Sequence, residues 1–409
     1  MLLQALPLVF VLSGLALYTV LAGADFGAGF WQLLAGRGAR GEQIREYAHG
    51  SMAPVWEANH VWLIFVLTVF WTAYPRAFES IASTLAVPLF IAALGIVFRG
   101  AAYAFREGAS SRRESGLIDT LFSLSSLLTP FALGAAIGGI ATDRVPVGNA
   151  AGHMFSSWLN PTSILIGTLA VATSAYLAAV YLAADAARDR SDALEEAFRR
   201  RALVAALLAG AIAFGGLFVV HADSHRLFHS LLSGRALAGV VASALAGVAT
   251  LAVVWLRRFE AARYLAAIAV AAIIAGWALA RWPTVLPGLS VYQAAAGHDA
   301  LVWIVASVLA GGAILFPSLG LLFHLSLRGR FRASERTAMD AAARRPAGAQ
   351  PGLLARAAVA CLIAGFALLN VASAGWAHAL GVVFLFCFVC VGFRALIFAA
   401  LGEAPPARR

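Results

Sequence analysis

The sequence predicts an all-α polytopic membrane protein of about eleven transmembrane helices. Of its 409 residues 61% are apolar and 12% charged, with a mean hydropathy of +0.84, which lies outside the range of soluble globular domains. Apolar windows long enough to cross a bilayer recur from one end of the chain to the other. The short alternating segments of an outer-membrane barrel are missing. The arginines give a third sign, because they gather in alternate loops.

Taken in order, the expected spans are 5–34, 51–75, 77–105, 117–141, 158–185, 202–220, 236–256, 263–281, 300–327, 353–370 and 376–401. Spans two and three meet at Tyr74-Pro75-Arg76, too tight a turn for an extramembrane domain. The loops after the odd-numbered spans, with the C-terminus, hold 23 arginines against 5 in the opposite loops. The positive-inside rule then puts the N-terminus outside and the C-terminus in the cytoplasm, which requires an odd number of spans. All 30 basic residues are arginine, and their confinement to one side explains the net charge of +10 without a nucleic-acid partner. No basic n-region or cleavage site marks the first apolar run, so it reads as a retained helix. Residues 281–299, with Pro283, Pro287, Gly288 and Gly297, read as ordered surface coil. The arginine-rich stretch after span nine reads as a cytoplasmic linker. The expected organisation is a membrane domain over 1–335, a linker over 336–352 and a two-helix extension over 353–409.

Within this apolar background a few polar residues stand out. A charge near the middle of a membrane helix costs about 2.5–3.5 kcal/mol on insertion scales, so it is usually kept for a partner or a path. Asp25 sits in GADFGAG between Gly23 and Gly27, a small-residue spacing that lets another helix approach closely. It fits a packing seam or a proton path equally well. Span two carries Trp56, Glu57, Asn59, His60 and Trp62; Ser51 is its expected cap, with Pro54 in the first turn. Glu57 and His60 are three apart and share a helix face, and the topology puts Glu57 and Asp25 in the same cytoplasmic half. The cluster reads as a proton-entry site, with a buried polar network as the bland alternative. Arg99 in span three can snorkel, pair with an internal acid, or bind an anionic group.

His221, Asp223, His225 and His229 have the four-residue steps of a ligand stripe, but they fall in a solvent-side loop, and no metal is expected. The CxxC of Cys387 and Cys390, like Cys361, reads as packing. Neither a CxxCH motif nor a convincing haem-ligand pair is present.

Several blocks together resemble subunit II of the cytochrome bd quinol oxidases, especially the branch that includes cyanide-insensitive types. They are GxDxGxG at Gly23–Gly29, APVWEANHVWL at Ala53–Leu63, FWTAYP at Phe70–Pro75, and the GIVFRGAAYAFR stretch around Arg99. They continue through WLNPTSILIG at Trp158–Gly167 and the WP…LP…VYQAAA loop at Trp282–Ala296. The resemblance implies two four-helix bundles plus a peripheral helix, set beside a larger subunit I in the bacterial inner membrane. That partner would hold haem b and haem d, with no haem ligand in this chain. The complex would oxidise quinol and reduce O₂ to water with protons from the cytoplasm. Asp25 and Glu57 map onto the family's proton pathway, to which the residue pattern adds Asn59 and His60. Trp62 maps near an oxygen route, and Trp56 and Arg99 are grouped with it as candidates for that route or a subunit interface. A structural quinone or lipid and a small accessory subunit are left open.

Two departures matter. Many relatives have an acid just before the GxDxGxG segment, where Leu21-Ala22 stands here, and WDGN where Trp56-Glu57-Ala58-Asn59 stands. Spans ten and eleven lie beyond the resemblance. A reading from another class, a proton- or cation-coupled transporter using Asp25 and Glu57, competes with the oxidase subunit.

Overall fold

A computed structural model describes residues 1–36, 38–106, 112–327, 353–371 and 374–401. The side chains of residues 52–58 and of shorter stretches beside the breaks lie outside that description. Two compact units divide at Ala310/Gly311. The domain boundary expected at 335 and the linker 336–352 fall outside the described residues.

The first unit is built on α1 (Leu2–Leu33), an apolar helix broken by neither charge nor turn before Asp25. It packs against α2 (Ala39–Ala73), α5 (Arg112–Ala141) and α6 (Pro161–Arg188). With α4 (Ala86–Arg106), the helices α1, α2 and α5 make one bundle. The second bundle consists of α6, α7 (Asp192–Asp223), α9 (Gly234–Trp255) and α10 (Phe259–Arg281), and α1 against α6 forms the seam between bundles. Small residues make this seam close. A Cβ on Gly27 would lie 1.9 Å from the Ser174 carbonyl oxygen, and one on Gly23 would lie 2.8 Å from Leu177 Cδ1. Trp31 Nε1 donates to the Ala175 carbonyl at 2.8 Å across the same seam. The GxxxG pair around Asp25 thus serves α6, while Asp25 itself is left to face elsewhere.

Three expectations need correction. Span two does not begin at Ser51. The helix starts twelve residues earlier, after Gly38 at φ 90°, and runs through Ser51 and Pro54. Its polar first turns are held because Ile44 and Ala48 enter the core beside α6 and α7. Span three is not one straight helix. α3 (Pro75–Thr84) and α4 meet at an 83° bend around buried Leu85. Hydroxyls of Ser80 and Ser83 accept from the backbone N–H groups of Gly148 and Ala150 at 2.9 and 2.8 Å, which binds α3 to the loop before α6. Residues 281–299 are not plain coil. β1 (Thr284–Leu286) and β2 (Leu289–Ser290) form a hairpin turning at Gly288, φ 74°, followed by the one-turn α11 (Val291–Ala294) with a Ser290/Gln293 capping box. Leu286, Leu289 and Val291 pack there with Tyr74 and Leu85.

The remaining elements follow their local signals. Asn160 caps α6, its side chain accepting from Ser163 N at 2.9 Å, with Pro161 in the first turn. The short α8 (His225–Leu231) links α7 to α9, and α12 (His298–Leu327) exposes large residues such as Trp303 and Ile314. In the second unit α13 (Leu353–Val371) and α14 (Gly375–Leu401) pair where Gly365 and Gly381 approach each other's backbones.

Among the described residues eight helices are long and apolar enough to cross a membrane, nine if the bent α3–α4 pair is one span. The other expected spans, two and ten, correspond to the shorter apolar segments Asn59–Ala73 and Arg356–Leu369. The protein is a multi-pass, all-α membrane protein.

Candidate functional site

The first bundle closes around one ion pair. Asp25 of α1 and Arg99 of α4 are both fully buried. Arg99 grips the carboxylate with two nitrogens: Nη2 donates to Oδ1 at 2.5 Å and Nε to Oδ2 at 3.0 Å. The same Nη2 donates to the Asp25 carbonyl at 2.7 Å, and Nη1 donates to Ser126 Oγ on α5. From α2, Asn59 Nδ2 donates to Asp25 Oδ2 at 3.3 Å. One carboxylate thereby joins α1, α2 and α4, and its arginine adds α5. This planar two-point grip is what a guanidinium supplies and an ammonium does not.

Aromatic faces complete the enclosure. The Arg99 guanidinium lies 4.0 Å from the Phe122 ring centroid and 5.1 Å from that of Phe26, placements that stabilise a cation removed from water. Gly29 makes room: a Cβ there would fall 2.0 Å from Ser126 Oγ and 3.0 Å from Arg99 Nη1. The three glycines of the motif therefore divide their work, Gly23 and Gly27 toward α6 and Gly29 toward the arginine.

Of the alternatives open for Arg99, the geometry is the internal ion pair, and the side chain does not snorkel. Asn59 joins Asp25 directly. His60 follows Asn59 and is half-buried; Trp62 is buried, edge-to-face on Phe65 at 6.0 Å. Trp56 and Glu57 lie on α2, but their side chains fall outside those described. Ser126 and Phe122 were not anticipated, although the hydroxyl-rich SLSSLLT run of α5 is a signal for polar contacts inside a spanning helix. Two buried oxygens near the cluster, Asn59 Oδ1 and Tyr18 Oη, have no hydrogen-bond partner among the described residues, and such atoms are usual sites of internal water.

The histidine stripe does other work. Asp223 accepts from Arg144 Nη2 and Thr162 Oγ1, each at 2.7 Å. The His221 and His225 rings meet at a tilt of 54° with centroids 4.2 Å apart, and the His225 Nδ1 meets the His221 carbonyl at 2.8 Å. Among the described residues no group of three or more His, Cys, Asp or Glu is arranged to hold a metal.

Fold and cluster together define a polytopic helical subunit whose first bundle encloses an acid–arginine pair. The sequence model of the cytochrome bd terminal oxidase subunit II family matches residues 3–326. The chain belongs to that family. It is similar to cytochrome bd ubiquinol oxidase subunit 2 of Bacillus subtilis strain 168, 30% identical over 114 residues, 28% of this chain and 33% of that protein. It is also similar to cytochrome bd-I ubiquinol oxidase subunit 2 of Escherichia coli K12, 26% identical over 172 residues, 40% and 44% of the two chains. These matches span between a third and a half of the relatives' length. The solved bd oxidase from Geobacillus thermodenitrificans shares the fold, with a TM-score of 0.61 at 24% identity, over 80% of this chain and 99% of that one. The transporter reading has no support from either likeness.

Proposed function

We propose that the chain is the haem-free scaffold subunit of a membrane quinol:O₂ oxidoreductase, and that it helps deliver protons to the site of O₂ reduction. The haems, b and d type, belong in this reading to a partner subunit I, and this chain has no turnover alone. The observation that carries it is the family match running through every element that builds the Asp25–Arg99–Asn59 cluster. The histidine contacts support haem ligation elsewhere: His153 accepts from the backbone of Phe155 and Ser156, and the α7–α8 histidines lie against each other.

In this reading the two acids of the expected proton pathway, Asp25 and Glu57, have different roles. To take up a travelling proton, Asp25 would release Arg99 and strand a guanidinium out of water, a change of about 3–5 kcal/mol. Asp25 is therefore the fixed charge, and Asn59 is oriented by it. The proton passes through Glu57 and His60, on the same helix at positions two before and one after Asn59. Trp62, with Trp56, is assigned in this reading to an oxygen route or to the interface with the partner. The cytoplasmic side is the arginine-rich side, and the N-terminus lies outside.

The closed Arg99 grip also favours a purely structural role for the cluster. Glu57→Gln separates the two readings. With proton delivery, quinol-dependent O₂ uptake by the purified complex falls about 10²-fold while haem content stays intact. Unchanged uptake at intact haem content leaves packing as the role of the cluster.

A further inference from the structure

A second feature lies away from this cluster, at the arginine-rich end of the helices. Between the start of α2 and the first turns of α7 is a cavity of about 360 Å³. Arg40, Arg200 and Arg201 line it together with Gly41, Ile44 and Ala197. Arginines dominate its lining, although Glu42 stands beside it in the first turn of α2. Glu196, the other acid beside it, already accepts from Arg199 at 3.3 Å, Arg200 at 2.9 Å and Arg257 at 2.8 Å. Arg40 and Arg201 have no carboxylate partner among the described residues. The Arg201 guanidinium rests on aromatic faces, 5.6 Å from the Trp31 centroid and 5.7 Å from that of Phe198, and Nη1 donates to the Ala197 carbonyl at 3.1 Å. Its other N–H groups have no hydrogen-bond partner among the described residues.

The opposite wall adds donors. α2 begins here after Gly38 with no side chain capping it, so the first backbone N–H groups, those of Arg40 and Gly41 included, have no side-chain acceptor. That wall is tight, since a Cβ on Gly41 would lie 2.5 Å from the Gly36 carbonyl oxygen. Just before it, Leu33 and Leu34 are about half exposed and offer an apolar surface. Guanidinium forks and helix N-termini suit phosphate oxygens, and basic pockets between helices on the cytoplasmic side suit lipid phosphates.

We propose that this cavity binds the phosphate of an anionic phospholipid headgroup, with the acyl chains lying over Leu33 and Leu34. The phosphate is the shared chemistry of a lipid and a free anion, and the apolar approach selects the lipid. The site is independent of proton delivery, and its test does not use turnover. The purified oxidase complex, delipidated and reloaded with phosphatidylglycerol or phosphatidylcholine, is measured by native mass spectrometry. Wild type should retain phosphatidylglycerol over phosphatidylcholine, and retention should fall about fivefold for each arginine removed, in Arg40→Gln and again in Arg40→Gln/Arg201→Gln. Arg40 is exposed and has no hydrogen bond or ion pair among the described residues, so the single variant reads the site even where the double variant does not assemble; Arg201→Lys keeps the charge and should lose less than Arg201→Gln. Equal retention in wild type and Arg40→Gln overturns the proposal. So does a wild type that retains neither lipid but whose thermal stability rises in inorganic phosphate, which would make this a site for the free anion.

Discussion

Arg99 is the residue on which the first bundle depends most. It is fully buried, it neutralises Asp25, and it touches the two aromatic rings that replace its water. Removing one partner of a buried pair strands the other charge and costs about 3–5 kcal/mol, whereas removing both costs much less. Asp25→Asn and Arg99→Gln should each lower the thermal stability of the complex and its haem content, and Asp25→Asn/Arg99→Gln should recover a large part of both. A double variant as weak as the sum of its parents would contradict the pairing. Asn59→Leu removes the donor to Asp25 Oδ2 without leaving a charge unpaired, so its effect should be nearer 1 kcal/mol. The sequence made Asp25 and Asn59 conspicuous, because polar groups in apolar runs stand out. Their meeting was not legible, since it depends on how α1 and α2 are rotated. Arg99 was visible as an anomaly, but its choice of Asp25 over the membrane surface comes from the space at Gly29 and the ring of Phe122, from helices far apart in the chain.

Helix packing is where the glycines matter. Gly27 leaves α1 and α6 so close that a methyl group would meet the Ser174 carbonyl at 1.9 Å, and backbone cannot move aside as a side chain does. Gly27→Ala should cost about 1–3 kcal/mol or more through overpacking. Gly210→Ala on α7, where nothing lies within 4 Å, should be neutral or stabilising by about 0.5–1 kcal/mol. Comparing the two in melting experiments on the same complex separates seam from propensity; equal behaviour would argue against the close seam. Helix identity was readable from apolar runs, and helix ends much less so. The polar turns 39–50 look like a loop by composition, yet Ile44 and Ala48 are buried and hold them helical. The bend at Leu85 has a local signal in Pro88, which has no N–H to donate to the Thr84 carbonyl and so breaks the helix there. The hydroxyls of α3 then hold the 148–152 loop, a tertiary contact the sequence does not announce.

Across the whole molecule, the arginine bias and the family match describe one arrangement. Of the loop and terminal arginines 23 fall in one set of alternate loops against 5 in the other, so a fluorescent protein fused to the C-terminus should fold and fluoresce in the cytoplasm, while an alkaline phosphatase fusion there should be inactive. The reverse pattern would invert the bundle and put Asp25 and Glu57 in the outer half, away from a cytoplasmic proton supply. The composition made a membrane protein unmistakable, and the motif blocks pointed to the oxidase family. The haems that the proposed function gives to a partner subunit have no trace in the residues of this chain. The most direct measurement is therefore the optical spectrum, with quinol-dependent O₂ uptake, of this chain purified with the haem-bearing subunit I proposed as its partner. The expected result is absorbance of both b-type and d-type haem together with O₂ uptake that starts on adding quinol. A stable complex of the two chains with no haem absorbance and no uptake would contradict the account.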